Sequence, residues 1–92
     1  MEAKKLRWTL TENNVEEKFT QYDAELQYGP LFRGTYSIRV SHKNGRCHSC
    51  VLSESGETYK SLKVSNNLAD AKEICQAHFN EYMAKLFVRY SK

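Results

Sequence analysis

One proline and four glycines in 92 residues leave little of the chain to low-complexity linker, and no residue pattern repeats at a fixed period. No apolar run approaches the roughly 18 residues that would span a bilayer, and Met1-Glu2-Ala3-Lys4-Lys5 lacks the apolar stretch of a secretory signal. The expectation is a cytoplasmic protein, with no membrane partner. Three cysteines are too few, and odd in number, for a disulfide framework, so free thiols in a reducing compartment are expected. There is no Gly-rich phosphate loop, no Gly-x-Ser-x-Gly elbow and no carboxylate pair in a catalytic context. The residues therefore point to a protein that is not an enzyme and takes neither a cofactor nor a small-molecule substrate.

What is present is enough apolar and aromatic surface for one core. Hydrophobic residues make up 40% and charged residues 27%, and six Tyr, four Phe and one Trp can each bury a large area. Residues 1–92 are read as a single domain and a monomer.

Lys5 to Thr11 alternates, with Leu6, Trp8 and Leu10 on one side, as in a half-buried strand, and Thr11-Glu12-Asn13-Asn14 is polar enough for a turn. Residues 14–28 satisfy two periods at once. Val15, Phe19, Tyr22 and Leu26 fit a helix, while Tyr22, Ala24, Leu26 and Tyr28 fit a strand. A strand over about 18–28 is favoured because a helix would leave the central strands short of partners, and Gly29-Pro30 ends it in either case.

Gly34 to Ser41 alternates cleanly, with Tyr36, Ile38 and Val40 inward and Thr35, Ser37, Arg39 and Ser41 outward. Asn44-Gly45 suits a tight hairpin, so Cys47–Ser53 should return antiparallel; Glu54–Glu57 is a second turn and Thr58–Val64 a further strand. Asn66 or Asn67 can cap a final helix running to about Val88, with Asp70 favouring its positive end. Ala71, Cys75, His78 or Phe79, Tyr82 and Leu86 form its apolar stripe. The expected fold class is α+β: an antiparallel sheet of four to five strands with a C-terminal helix packed on one face.

Cys47-His48-Ser49-Cys50 with Cys75-Gln76-Ala77-His78 reads formally as a zinc ligand set. On a strand, however, Cys47 and Cys50 point to opposite faces, and no Gly or Pro supplies a knuckle turn between them. Buried thiols are the expected reading, and no metal is assigned. A thiol nucleophile beside His48 or His78 has nothing in the sequence to show that the pair is in reach or activated. Whether Cys47, Cys50, Cys75 and His78 meet in space is left to the structure.

Charge is uneven along the chain. Residues 31–65 hold Arg33, Arg39, Lys43, Arg46, Lys60 and Lys63 against Glu54 and Glu57, whereas residues 1–30 are net acidic. A basic central region suits a polyanionic partner, or serves only as a solvated sheet face. Strand order and helix position resemble a double-stranded RNA-binding domain, but the basic cluster that domain carries at the start of its last helix is replaced here by Asn66-Asn67-Leu68-Ala69-Asp70.

Trp8, Gly34-Thr35-Tyr36-Ser37-Ile38 and the run Ala69 to Phe79 together resemble small phage and prophage proteins with a strand meander and a C-terminal helix. The chain departs from them in a longer 11–33 segment. Among compact phage proteins it is similar to anti-CRISPR proteins that inhibit type I surveillance complexes, the I-F complex among them. The resemblance implies an RNA-contacting or protein-contacting inhibitor in the host bacterial cytoplasm. It would bind Cas proteins and guide RNA of the complex and block target DNA. Arg7, Arg33, Arg39, Lys43, Arg46, Lys60 and Lys63 are the expected contacts. The alternatives are a stand-alone phage nucleic-acid-binding module and, behind it, a small zinc or thiol protein.

Overall fold

The computed structural model describes residues 5–28, 32–52 and 58–90, with side chains described for 5–25, 34–52 and 60–85. The expected turn at Glu54–Glu57, the Gly29-Pro30 break and the side chains of Arg33 and Leu86 lie outside these residues. Five strands form one antiparallel sheet in sequence order, β1 (Thr9–Asn14), β2 (Phe19–Tyr28), β3 (Phe32–Ser41), β4 (Cys47–Leu52) and β5 (Thr58–Ser65), followed by the helix α1 (Leu68–Tyr90). The fold is α+β, as the alternation and the capped C-terminal segment predict.

The ambiguous stretch 14–28 resolves into a turn and a strand. Asn14 Oδ1 accepts the Glu17 amide at 2.8 Å, and Lys18 takes a left-handed φ of 59° to close the turn. From Phe19 to Tyr28 the chain then pairs without interruption with Ser41 back to Phe32. Helical spacing would have placed Phe19 and Tyr22 on one stripe; the register instead puts Tyr22 beside Ile38 and Phe19 beside Ser41, on opposite faces.

The first strand lies later than its apolar alternation suggests. Leu6 and Trp8 do pack inward, but the Leu6 amide donates to Gln76 Oε1 on α1 at 2.8 Å, so residues 5–8 are held by the helix outside the sheet ladder. Pairing with β2 begins at Thr9↔Asp23 and continues past a bulge between Leu10 and Glu12 to Asn14↔Phe19. The polar run Thr11–Asn14 is thus strand rather than turn. Its polarity is that of a sheet edge with almost no buried face.

The β3–β4 connection is a four-residue loop, His42–Gly45, closed by Ser41 N–H to Arg46 O at 3.0 Å. Gly45 takes φ 72°, a conformation that costs glycine nothing, and Asn44 Oδ1 receives the Arg46 amide at 2.9 Å. At the helix start, Asn67 Oδ1 accepts from the Asp70 amide at 2.8 Å and its Nδ2 donates back to Asp70 at 3.0 Å. Asn67, not Asn66, is the cap, worth about 1 kcal/mol.

α1 packs on β3, β4 and β5. Ala71, Cys75, Phe79 and Met83 recur every four residues and are buried against Tyr36, Ile38, Cys47 and Val51, with Leu6 and Ala24 completing the core. Of the expected stripe, Ala71, Cys75 and Phe79 are in place, Met83 joins them, and His78 and Tyr82 flank it half-buried. The Tyr36 ring meets Phe79 edge-on, with centroids 6.1 Å apart. Among the described residues no helix is long and apolar enough to cross a membrane.

Candidate binding face

Because side chains alternate along each strand, the sheet has two unlike faces. One is under α1. The other carries, in register across the strands, Glu12, Gln21, Arg39, His48 and Val64, and in the next row Thr9, Asp23, Ser37, Cys50 and Ser61. Between β2 and β5 this open face dips into a depression of about 450 Å³, lined in part by Gln21, Ser37, Arg39, His48, Cys50 and Val64.

Arg39 is the organised group of this face. Its Nε–H donates to Gln21 Oε1 at 2.8 Å across the β2–β3 pair, and its guanidinium carbon lies 4.5 Å from the centroid of the Phe19 ring. Gln21 in turn donates from Nε2 to the Asp23 carboxylate at 3.1 and 3.3 Å. An amide is therefore interposed between guanidinium and carboxylate. Arg39 is positioned by an acidic group without a direct ion pair, and it keeps a charged edge toward solvent.

Six of the seven cations expected as contacts have described side chains, and these lie at different places in the fold. Among the described side chains of this set, Arg39 lines the depression. Lys43 and Arg46 are exposed at the β3–β4 turn, and Lys63 is exposed beside a β4–β5 irregularity. Lys60 is exposed on β5, near enough to His78 to help depress that imidazole's pKa. Arg7 is exposed in the N-terminal segment between Leu6 and Trp8, and Arg33 pairs through its backbone with Gln27, its side chain outside the described residues. On the same open face, Glu12, Asp23 and Glu25 give β1 and β2 an acidic character. The open face is thus divided in charge, acidic on β1 and β2 and carrying Arg39 on β3. Sequence reasoning missed Phe19 and Gln21 as partners of Arg39, and Asp23 and His48 as their neighbours on the same face. Their outward phase was readable from alternation, but not the register that brings them together.

The thiols fall as strand geometry requires. Cys47 is buried on the helix side, and Cys50 is half-buried on the open face, so the two cannot grip one ion. Among the described residues, no three His, Cys, Asp or Glu side chains converge as a metal site. Burial pushes the Cys75 thiol up to about 11 and raises Cys47. Burial also raises Cys50, with Arg39 opposing and Asp23 adding to the shift. These directions keep the thiols protonated, away from the thiolate that nucleophilic chemistry needs.

His78 belongs to the helix side. Its Nδ1 lies 2.7 Å from the Tyr36 hydroxyl, whose pKa burial raises far above the usual phenol range, so Tyr36 stays a hydroxyl, able to donate to Nδ1 or to accept from it according to the imidazole tautomer. The buried Ser49 Oγ meets no partner at ordinary hydrogen-bond geometry among the described residues, though it sits close enough to the Cys75 thiol to oppose part of that group's upward shift. The Tyr36–His78 pair belongs to the helix side, whereas Ser49 also borders the depression. What the open face can do is hold a partner. Compared with known proteins, the chain matches no protein-family model, no curated protein and no solved structure.

Proposed function

We propose that this chain is a non-enzymatic binding domain that docks through the open face of its sheet on a larger assembly. In the form the phage resemblance suggests, that assembly is a type I CRISPR surveillance ribonucleoprotein, and the bound domain occludes target DNA. The observation that carries the reading is the division of labour in the sheet. One face is consumed by α1, while the other presents a depression in which Arg39 is fixed by Gln21 and Phe19. Side chains already held in place lose little entropy on binding.

The charge division favours an assembly with protein surface over naked nucleic acid. A stand-alone nucleic-acid module would need several cations tracking a phosphate backbone. Here, among the described residues, Arg39 is the cation that lines the depression, and Glu12, Asp23 and Glu25 lie on the same face.

The test is co-purification of the tagged protein with assembled type I and type II effector complexes, with target-DNA binding measured in the same samples. Capture with loss of DNA binding supports occlusion. Failure to capture any complex, together with steeply salt-dependent binding to naked RNA or DNA, would replace this reading with the nucleic-acid module.

A further inference from the structure

Resting on the open face as the binding face, we propose that the depression around Arg39 is a subsite for a single carboxylate side chain, Asp or Glu, of a protein partner. This assigns the central contact to protein rather than to RNA.

The first argument is the state of the guanidinium. Arginine has five N–H donors in a planar fork. Arg39 spends Nε–H on Gln21, and the described residues supply no partner for the four Nη hydrogens. The plane is fixed at one edge by Gln21 and on one face by Phe19. What remains is an oriented edge of the kind that carboxylates match in a bidentate pair. His48, the direct β4 neighbour of Arg39 in the register, is exposed beside it and can add a ring N–H.

The second argument is the shape and lining. The depression is large enough for a side chain, and Leu52 and Val64 offer apolar wall to the methylene stem of an acidic residue.

The third argument separates carboxylate from nucleic acid. A nucleic-acid strand brings one negative charge about every 3.4 Å along the axis. A phosphate seated on Arg39 would draw its neighbours over a face that also holds Glu12, Asp23 and Glu25. A single carboxylate meets the one guanidinium and brings no second charge toward β2.

The test is an NMR titration of the full-length ¹⁵N-labelled protein with a blocked Gly-Glu-Gly peptide. Its Gly-Gln-Gly counterpart, inorganic phosphate and a short oligouridylate serve as comparison probes. The expected result is saturable shifts of the Arg39 Nε–H and of the Gln21, Ser37 and His48 amides with the Glu peptide and not the Gln peptide. Arg39→Lys, which keeps the charge and loses the fork, should weaken that binding roughly tenfold. Equal shifts from the Gln peptide, undiminished binding by Arg39→Lys, or tighter binding of phosphate or oligouridylate at the same residues would overturn the subsite. A captured effector complex retained in full by Arg39→Lys, with a silent Glu-peptide titration, would remove the subsite and leave the binding-face reading standing. A carboxylate-specific titration without capture of any effector complex would do the opposite.

Discussion

The two faces of this sheet are built from the same residues of sequence, one side chain up and the next down, yet they are held by different physics. Tyr36, Ile38, Cys47 and Val51 are sealed beneath Ala71, Cys75, Phe79 and Met83. Their neighbours Ser37, Arg39, His48 and Cys50 look the other way into a depression of mixed polar and apolar lining. The comparison teaches that a small chain can put its core on one face and leave the other open, at no cost in length. The largest effect should therefore come from emptying the sealed face. Phe79 is fully buried and edge-on to Tyr36. Phe79→Ala should cost about 3–5 kcal/mol, a large part of the roughly 5–15 kcal/mol that holds a typical domain together. A urea midpoint within error of wild type would show that the helix face is not where the stability resides.

The next effect is a pH dependence confined to the same face. Burial, followed by the charge of Lys60, lowers the His78 pKa in the folded state, with Glu81 opposing and Lys85 adding to the depression. A histidine whose folded pKa lies below its unfolded value binds fewer protons when folded. Its contribution is present above the unfolded pKa, near 6.5, and is lost as pH falls through that value toward the folded one. The contact with the Tyr36 hydroxyl is compatible with both states, since neutral Nδ1 can accept the hydroxyl proton and a protonated Nδ1–H can donate to its oxygen, so the sign rests on burial and the neighbouring cations. Stability should drop on acidification below about pH 6.5, and His78→Gln should flatten that part of the profile. An unchanged slope in the variant would assign the loss to other groups.

Alternation made the faces legible, and the Asn67–Asp70 cap made the helix legible, because both are local signals. The β1 boundary was not local. Leu6 alternates with Trp8 and Leu10 as a strand would, but its amide is taken by Gln76, seventy positions away, which no window of sequence reveals. Thr11–Asn14 looked like a turn because an edge strand exposed on both faces is as polar as a loop. The Arg39 site was half legible. Arg39 could be read as an outward cation, but its importance depends on the unbroken β2–β3 register that sets Gln21 opposite it and Phe19 on the same face. Counting cations along the chain grouped six residues of 31–65; of the five whose side chains are described, Lys43 and Arg46 lie at a turn, Lys60 and Lys63 on an edge strand and Arg39 on the open face.

The smallest expected change in stability is on that open face. Arg39 is exposed, and its contacts are one hydrogen bond to Gln21 and one ring face on Phe19. Truncation by Arg39→Ala removes both without opening a cavity in the core or leaving a buried charge. Gln21 remains partly accessible to water and keeps Asp23 as a partner. The cost should stay within about 1 kcal/mol, a small fraction of the Phe79→Ala loss, and denaturant midpoints of the two variants side by side would measure the contrast. A penalty comparable to that of Phe79→Ala would mean that the Phe19–Arg39–Gln21 array is part of what holds β2 to β3. The depression would then be a by-product of folding. A near-neutral midpoint would instead mean that the array's ordering of an exposed guanidinium contributes little to the fold, which is the property expected of a group whose partner is another molecule.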